Sequence, residues 1–100
     1  METKELQQIC AELTARIDEK YEIERDPQLA FAQLIEEIGE LAVDINRPAL
    51  RNQDLDQDSL KQDFADIFLL LSALANIYDI DIETAMQEKI EILKERHELQ

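Results

Sequence analysis

Apolar side chains recur at three- and four-residue steps in four stretches of this chain, and each stretch reads as an amphipathic helix. Leu6, Ile9, Cys10, Leu13 and Ile17 mark the first, from about Glu2 to Lys20. After a short polar connection, Asp26 and Pro27 supply an N-cap and a proline at the first helical position, which open the second helix. Leu34, Ile38, Leu41 and Ile45 form its face for burial, widened by Ile35 and Ala42. Pro48 biases its predecessor away from helical geometry, so this helix is expected to stop near Arg47, with RPALRNQDLDQD as a loop. Ser59 and Gln62 form a capping-box pattern for the third helix, with Asp56 and Asp58 as competing caps, and the helix runs to about Tyr78. Asp81 caps the fourth, which carries Ile82, Ala85, Met86, Ile90 and Leu93 inward before a charged, fraying tail.

Composition agrees with an all-α fold. One Gly and two Pro among 100 residues are too few for the many tight turns of a β fold. The length predicts one domain, close to the size at which oligomerisation supplies part of the core. The third helix sharpens that expectation. Phe64, Ile67, Phe68, Leu71, Leu74 and Ala75 form one stripe, yet Leu69, Leu70 and Ala73 make its middle apolar nearly all round, which predicts a homodimer or a homotetramer built as a dimer of dimers. A formal net charge of −14 opposes attraction to nucleic-acid backbones and anionic membranes. There is no charged start followed by an apolar signal core, and no apolar run of the roughly 18 residues a membrane span requires. The expected location is cytoplasmic. Cys10 is the single cysteine, so it reads as a small core residue, and one chain can build neither an intrachain disulfide nor a cysteine-based metal site.

The acids carry the candidate chemistry. Glu37, Glu40 and Asp44 share one edge of the second helix, while Glu36 turns towards its back. Asp63 and Asp66 repeat the three-residue spacing at the front of the third helix, just before its most apolar run. A chain this acidic also places carboxylates at helical spacing on solvated faces, but acids that enter a core need a partner. If the two helices run antiparallel, Glu37, Glu40, Asp63 and Asp66 converge. Oxygen-only ligands suit Mg²⁺ or Mn²⁺. Carboxylate-bridged di-iron bundles use Glu-x-x-His, and the only histidine, His97, lies in the tail, where it reads as solvated. Phe31 and Tyr78 read as core aromatics rather than base-stacking platforms.

EEIGELAVDI followed by DFADIFLLLSALANIYDIDIETAMQEKIEILKER resembles the MazG-like nucleoside triphosphate pyrophosphatases over roughly three quarters of the chain. The resemblance implies a four-helix MazG-like bundle completed by homodimerisation, with residues 1–100 as one domain. It also implies that Glu37, Glu40, Asp63 and Asp66 bind Mg²⁺, with Mn²⁺ able to replace it. Lys89 and Arg96 match basic positions that face phosphate in the family, and Glu36 or Glu40 is expected to serve as the general base. The implied activity is cleavage of a (d)NTP between its α- and β-phosphates to a nucleoside monophosphate and pyrophosphate. Two positions depart from the family pattern: Asp63 replaces a Glu one methylene longer, and Leu93 replaces an Asn associated with nucleotide contact. Leu93 also continues its helix's apolar series, which favours a place in the core. The competing reading is a catalytically degenerate acidic module that binds a nucleotide or a protein partner.

Overall fold

The structure is a computed structural model describing residues 1–100. Four helices and no strand make it up: α1 (Thr3–Lys20), α2 (Pro27–Leu50), α3 (Gln57–Ile77) and α4 (Ile82–Arg96). Asp26 caps α2 by accepting the Leu29 N–H at 2.8 Å, and Asp81 caps α4 by accepting the Glu83 N–H at 3.1 Å. Among the three candidates at α3, the structure selects Asp56, which accepts the N–H groups of Asp58 and Ser59. No helix is long and apolar enough to cross a membrane.

Helix α2 does not stop at Arg47 but continues through Pro48 to Leu50. Pro48 gives up one bond to the Asp44 carbonyl and its ring crowds that carbonyl, but its fixed φ is helical and less than a turn of α2 follows it. The turns beyond it are closed by Arg51 N–H to the Arg47 carbonyl at 3.1 Å and Gln53 N–H to the Pro48 carbonyl at 2.7 Å.

All four helices end in the same way, with Glu22, Asn52, Asp79 and Glu98 in left-handed backbone geometry just past their C-caps. Six-residue closures accompany them, such as Ile23 N–H to the Asp18 carbonyl at 2.8 Å and Ile80 N–H to the Ala75 carbonyl at 2.9 Å. These are Schellman ends without a single glycine. A β-carbon is strained at such a φ, so Glu22→Gly is expected to stabilise the fold by about 0.5–1 kcal/mol, net of glycine's greater freedom when unfolded. Urea melts check this, and a lower midpoint would contradict it.

Helix α3 lies at the centre, with α2 and α1 packed against it and α4 packed against α1. The face that α1 turns inward is not its leucine stripe. Gln7 and Thr14 are its buried residues, with Cys10, Ala11 and Asp18 half-buried beside them, while Leu6, Ile9, Leu13 and Ile17 stay exposed. The small side chains Ala11, Thr14 and Ala15 of α1 line a pocket with Ala73 of α3, and the buried side chains of α1 have hydrogen-bond partners. The Gln7 amide donates to the Ile80 carbonyl at 2.7 Å and accepts the Ile82 N–H at 2.8 Å, clamping the turn that starts α4. Thr14 donates to the Cys10 carbonyl at 2.8 Å. A two-point ion pair from Arg25 to Asp18, at 2.8 and 2.9 Å, joins the end of α1 to the start of α2, and Gln33 also accepts from Arg25.

One chain leaves much of its apolar surface bare. Only seven residues are buried, four of them polar, and none of them lies on α4. The accessible surface is 7976 Å², whereas a compact monomer of this mass exposes about 5,800 Å². The radius of gyration is 16.4 Å, against about 13 Å for a compact chain of this length. Leu69 and Leu70, the basis for expecting a partner on α3, are half-buried within the chain. The uncovered surface is spread instead over all four helices, including Phe31 and Tyr78, which are exposed rather than core. Leu93 is likewise 38% exposed, so the core position expected for it is not formed within one chain.

Candidate metal centre

The inner face of α2 reads Ala30, Leu34, Glu37, Leu41, Asp44 and Pro48, all buried or half-buried at three- and four-residue steps. Ile38 and Ile45, expected in the core, point outward. Two carboxylates therefore sit in the seam itself rather than beside it. From α3, Asp63 is buried and Asp66 half-buried. Glu37 feels the charge of Asp66, and Asp44 meets Asp63, so positions ascending on α2 match positions descending on α3. The helices are antiparallel, and the seam holds four acids, Glu37, Asp44, Asp63 and Asp66, with the exposed Glu40 at its edge.

Burial pushes the Glu37 carboxyl above its ordinary range, and the charges of Glu40 and Asp66, a hydrogen bond with Glu40 and the charge of Asp63 act in the same direction. A side-chain hydrogen bond with Asp44, which needs a proton on the pair, is the largest cause holding Asp63 up at about 6. Burial and the charges of Asp44, Glu40 and Asp66 add to it. No cation opposes these shifts. The three ion pairs of the chain, Lys4–Asp81, Arg25–Asp18 and Lys94–Glu91, all lie elsewhere. Two buried oxygens in the seam, Glu37 Oε2 and Asp63 Oδ2, have no hydrogen-bond partner.

Hard oxygen donors, net negative charge and unpartnered buried oxygens fit a divalent ion such as Mg²⁺ or Mn²⁺. In the present side-chain arrangement no three acids close on one point as ligands of a single ion do. Uncompensated carboxylates repel, and drawing them together needs the charge that would bind there.

The other expected site residues lie apart from the seam. Glu36 is exposed and lines an open groove of about 520 Å³ with Gly39, Glu40, Val43 and Asp44. Lys89 and Arg96 are exposed on α4, which packs on α1, and neither forms an ion pair with the acids. His97 is exposed at the α4 C-cap, as expected for a tail residue, and Cys10 is half-buried and free. Reasoning from the sequence placed Asp44 on the edge shared by Glu37 and Glu40 but left it out of the metal set. Its spacing from both was the available signal.

The proton balance of Asp63 has a measurable consequence. The carboxyl titrates near 3.8 when unfolded and near 6 when folded, so the folded state holds the extra proton between those values. Without divalent ions, stability is expected to fall as pH rises from about 4 to about 6, with the loss complete above that window. Asp63→Asn should flatten this slope, and millimolar Mg²⁺ should restore stability at pH 7 by mass action. Thermal melts at several pH values with EDTA or Mg²⁺ check it; a slope unchanged by Asp63→Asn would contradict the assignment.

The family profile of the MazG nucleotide pyrophosphohydrolase domain matches residues 25–99 of this chain. A curated relative, the uncharacterized protein YpjD of Bacillus subtilis (strain 168), is 32% identical over 90 residues, covering 85% of this chain and 79% of the relative. The crystal structure of iMazG from Vibrio DAT 722 superposes with a TM-score of 0.63 at 24% identity, covering 96% of this chain and 97% of that one. At that identity the structural likeness speaks for the fold alone.

Proposed function

We propose, from the premise that this chain belongs to the MazG nucleotide pyrophosphohydrolase domain family, that it hydrolyses a nucleoside triphosphate between the α- and β-phosphates. Water adds across that anhydride: one P–O bond forms, the bridging P–O bond breaks, and a nucleoside monophosphate and pyrophosphate leave. The observation that carries this reading is the acidic seam, with two buried oxygens unpartnered and no cation of its own chain beside it.

Glu37, Glu40, Asp63 and Asp66 are the residues that would hold Mg²⁺ or Mn²⁺. When bound, the ion offsets phosphate charge and makes water more acidic. The chain's own contribution is positioning and proton transfer. Glu36 or Glu40, which both line the groove on α2, is the proposed acceptor of the proton that the attacking water loses. Lys89 and Arg96, three and ten residues beyond Met86 on the same helical stripe of α4, are the proposed phosphate contacts.

The assembly proposed with this activity is a homodimer or a dimer of dimers. Roughly 2,100 Å² of surface beyond that of a compact monomer exceeds the roughly 800 Å² per partner of a standard interface. A single domain over residues 1–100, acting on a cytoplasmic nucleotide pool, completes the reading.

Pyrophosphate release from a panel of ribo- and deoxyribonucleoside triphosphates is the test. Pyrophosphate and monophosphate are expected in equal amounts with Mg²⁺ or Mn²⁺, and neither with EDTA. Release of orthophosphate alone, or no turnover across the panel with both ions, overturns the proposal.

A further inference from the structure

We infer that Asp44 is a fifth carboxylate of the cation site, completing coordination where the side chain at position 63 is short. The inference rests on the proposed reading of the seam as a divalent-ion site and extends it to a residue outside the two paired-acid motifs. Its first support is register. Asp44 follows Glu40 by four residues and Glu37 by seven, so all three fall within one helical face, and Asp44 is half-buried on the side facing α3. The second is its neighbour across the seam: Asp44, half-buried on the inner face of α2, acts on the buried Asp63 of α3 by its charge and hydrogen bonding.

Asp63 itself supplies the independent sign of a missing ligand. It is 6% exposed, and its Oδ2 is buried without a partner. An acid held there for structural reasons would be met by a backbone N–H or a basic side chain, as Asp56 and Asp18 are. Asp44 also makes no ion pair. Asp44 and Asp63 act on each other with no basic side chain paired to either, which matches a cation in both charge and donor type. Glu40 and Asp44 also line the same groove, where Gly39 leaves space that a β-carbon would enter without meeting any atom within 4 Å. Asp44 therefore borders an open groove on α2. With Asp instead of Glu at position 63, one carboxylate reaches less far from α3, and Asp44 reaches in from α2.

Mn²⁺ binding to the full chain, followed by calorimetry and by the spectrum of free Mn²⁺, tests this without relying on turnover. Asp44→Asn is expected to weaken Mn²⁺ binding about tenfold to a hundredfold. Asp54→Asn, which removes an exposed loop charge, should change it less than about twofold, as screening of a distant charge predicts. In an Asp63→Glu background the longer acid should take over part of the role, so that the Asp44→Asn loss shrinks to a few-fold. Equal affinities for the Asp44→Asn and Asp54→Asn proteins overturn the inference, as does an undiminished loss in a folded Asp63→Glu background. If Asp63→Glu does not fold, the first comparison decides alone. Wild-type protein that binds no Mn²⁺ removes the metal site and this inference together; wild-type binding with an unaffected Asp44→Asn removes only the inference.

Discussion

Asp66→Asn is expected to lower pyrophosphate release at least a hundredfold while the chain keeps its helical content and, without metal, melts no lower than wild type. The two halves of this result have one cause. Asp66 raises both Glu37 and Asp63 by its charge, so removing that charge relieves repulsion in the ion-free seam. The same charge is part of what would hold a divalent ion against a polyphosphate. A hundredfold loss corresponds to about 2.7 kcal/mol of transition-state stabilisation, within the several kcal/mol that a metal supplies to phosphoryl chemistry. Glu40→Gln should behave in the same way. Turnover near the wild-type rate in either variant removes the seam as the active site, and collapse of helicity would show that Asp66 acts in folding. Unchanged stability with lost activity is the signature of a functional carboxylate.

The four helices and two of the caps, Asp26 and Asp81, were legible because each depends on residues within a few positions of one another. Rotational phase was not. On α1 the hydrophobic stripe was evident, but the structure turns Gln7, Ala11, Thr14 and Asp18 towards α3. Periodicity identifies which face is apolar, not which neighbour covers it. Small residues can win the intramolecular contact through close approach when the larger ones have another partner. The same rotation on α2 brings Glu37 and Asp44 into the seam and sends Ile38 and Ile45 outward. The paired spacing of the acids pointed to Glu37, Glu40, Asp63 and Asp66. The meeting of Asp44 with Asp63 depends on the register of α2 against α3, which spacing within one helix does not fix. Lys89 and Arg96 were placed by resemblance alone, and within one chain neither forms an ion pair with an acid.

Leu13→Glu is expected to convert a sedimenting dimer or tetramer into monomer and to lower the melting temperature markedly. Leu13 is 45% exposed in the single chain, in line with Leu6, Ile9 and Ile17 on the side of α1 away from α3. If the chain worked as a monomer, replacing this leucine by a charge would be neutral or would improve solubility, because no core contact is lost. If the stripe meets a second copy, the substitution removes a buried leucine and places a carboxylate against apolar surface. In a two-fold interface this happens on both sides, at roughly 1.5–3 kcal/mol for each leucine. The sum weakens dimerisation by about 10² to 10⁴-fold. Leu50→Glu is the matched control, since Leu50 is 87% exposed at the end of α2 and away from this stripe. It should leave mass and melting temperature nearly unchanged. Wild-type protein that sediments as a well-folded monomer at micromolar concentration would overturn the assembly. Because roughly 2,100 Å² of excess surface has to be covered somewhere, that result would also require α1 and α4 to repack within one chain.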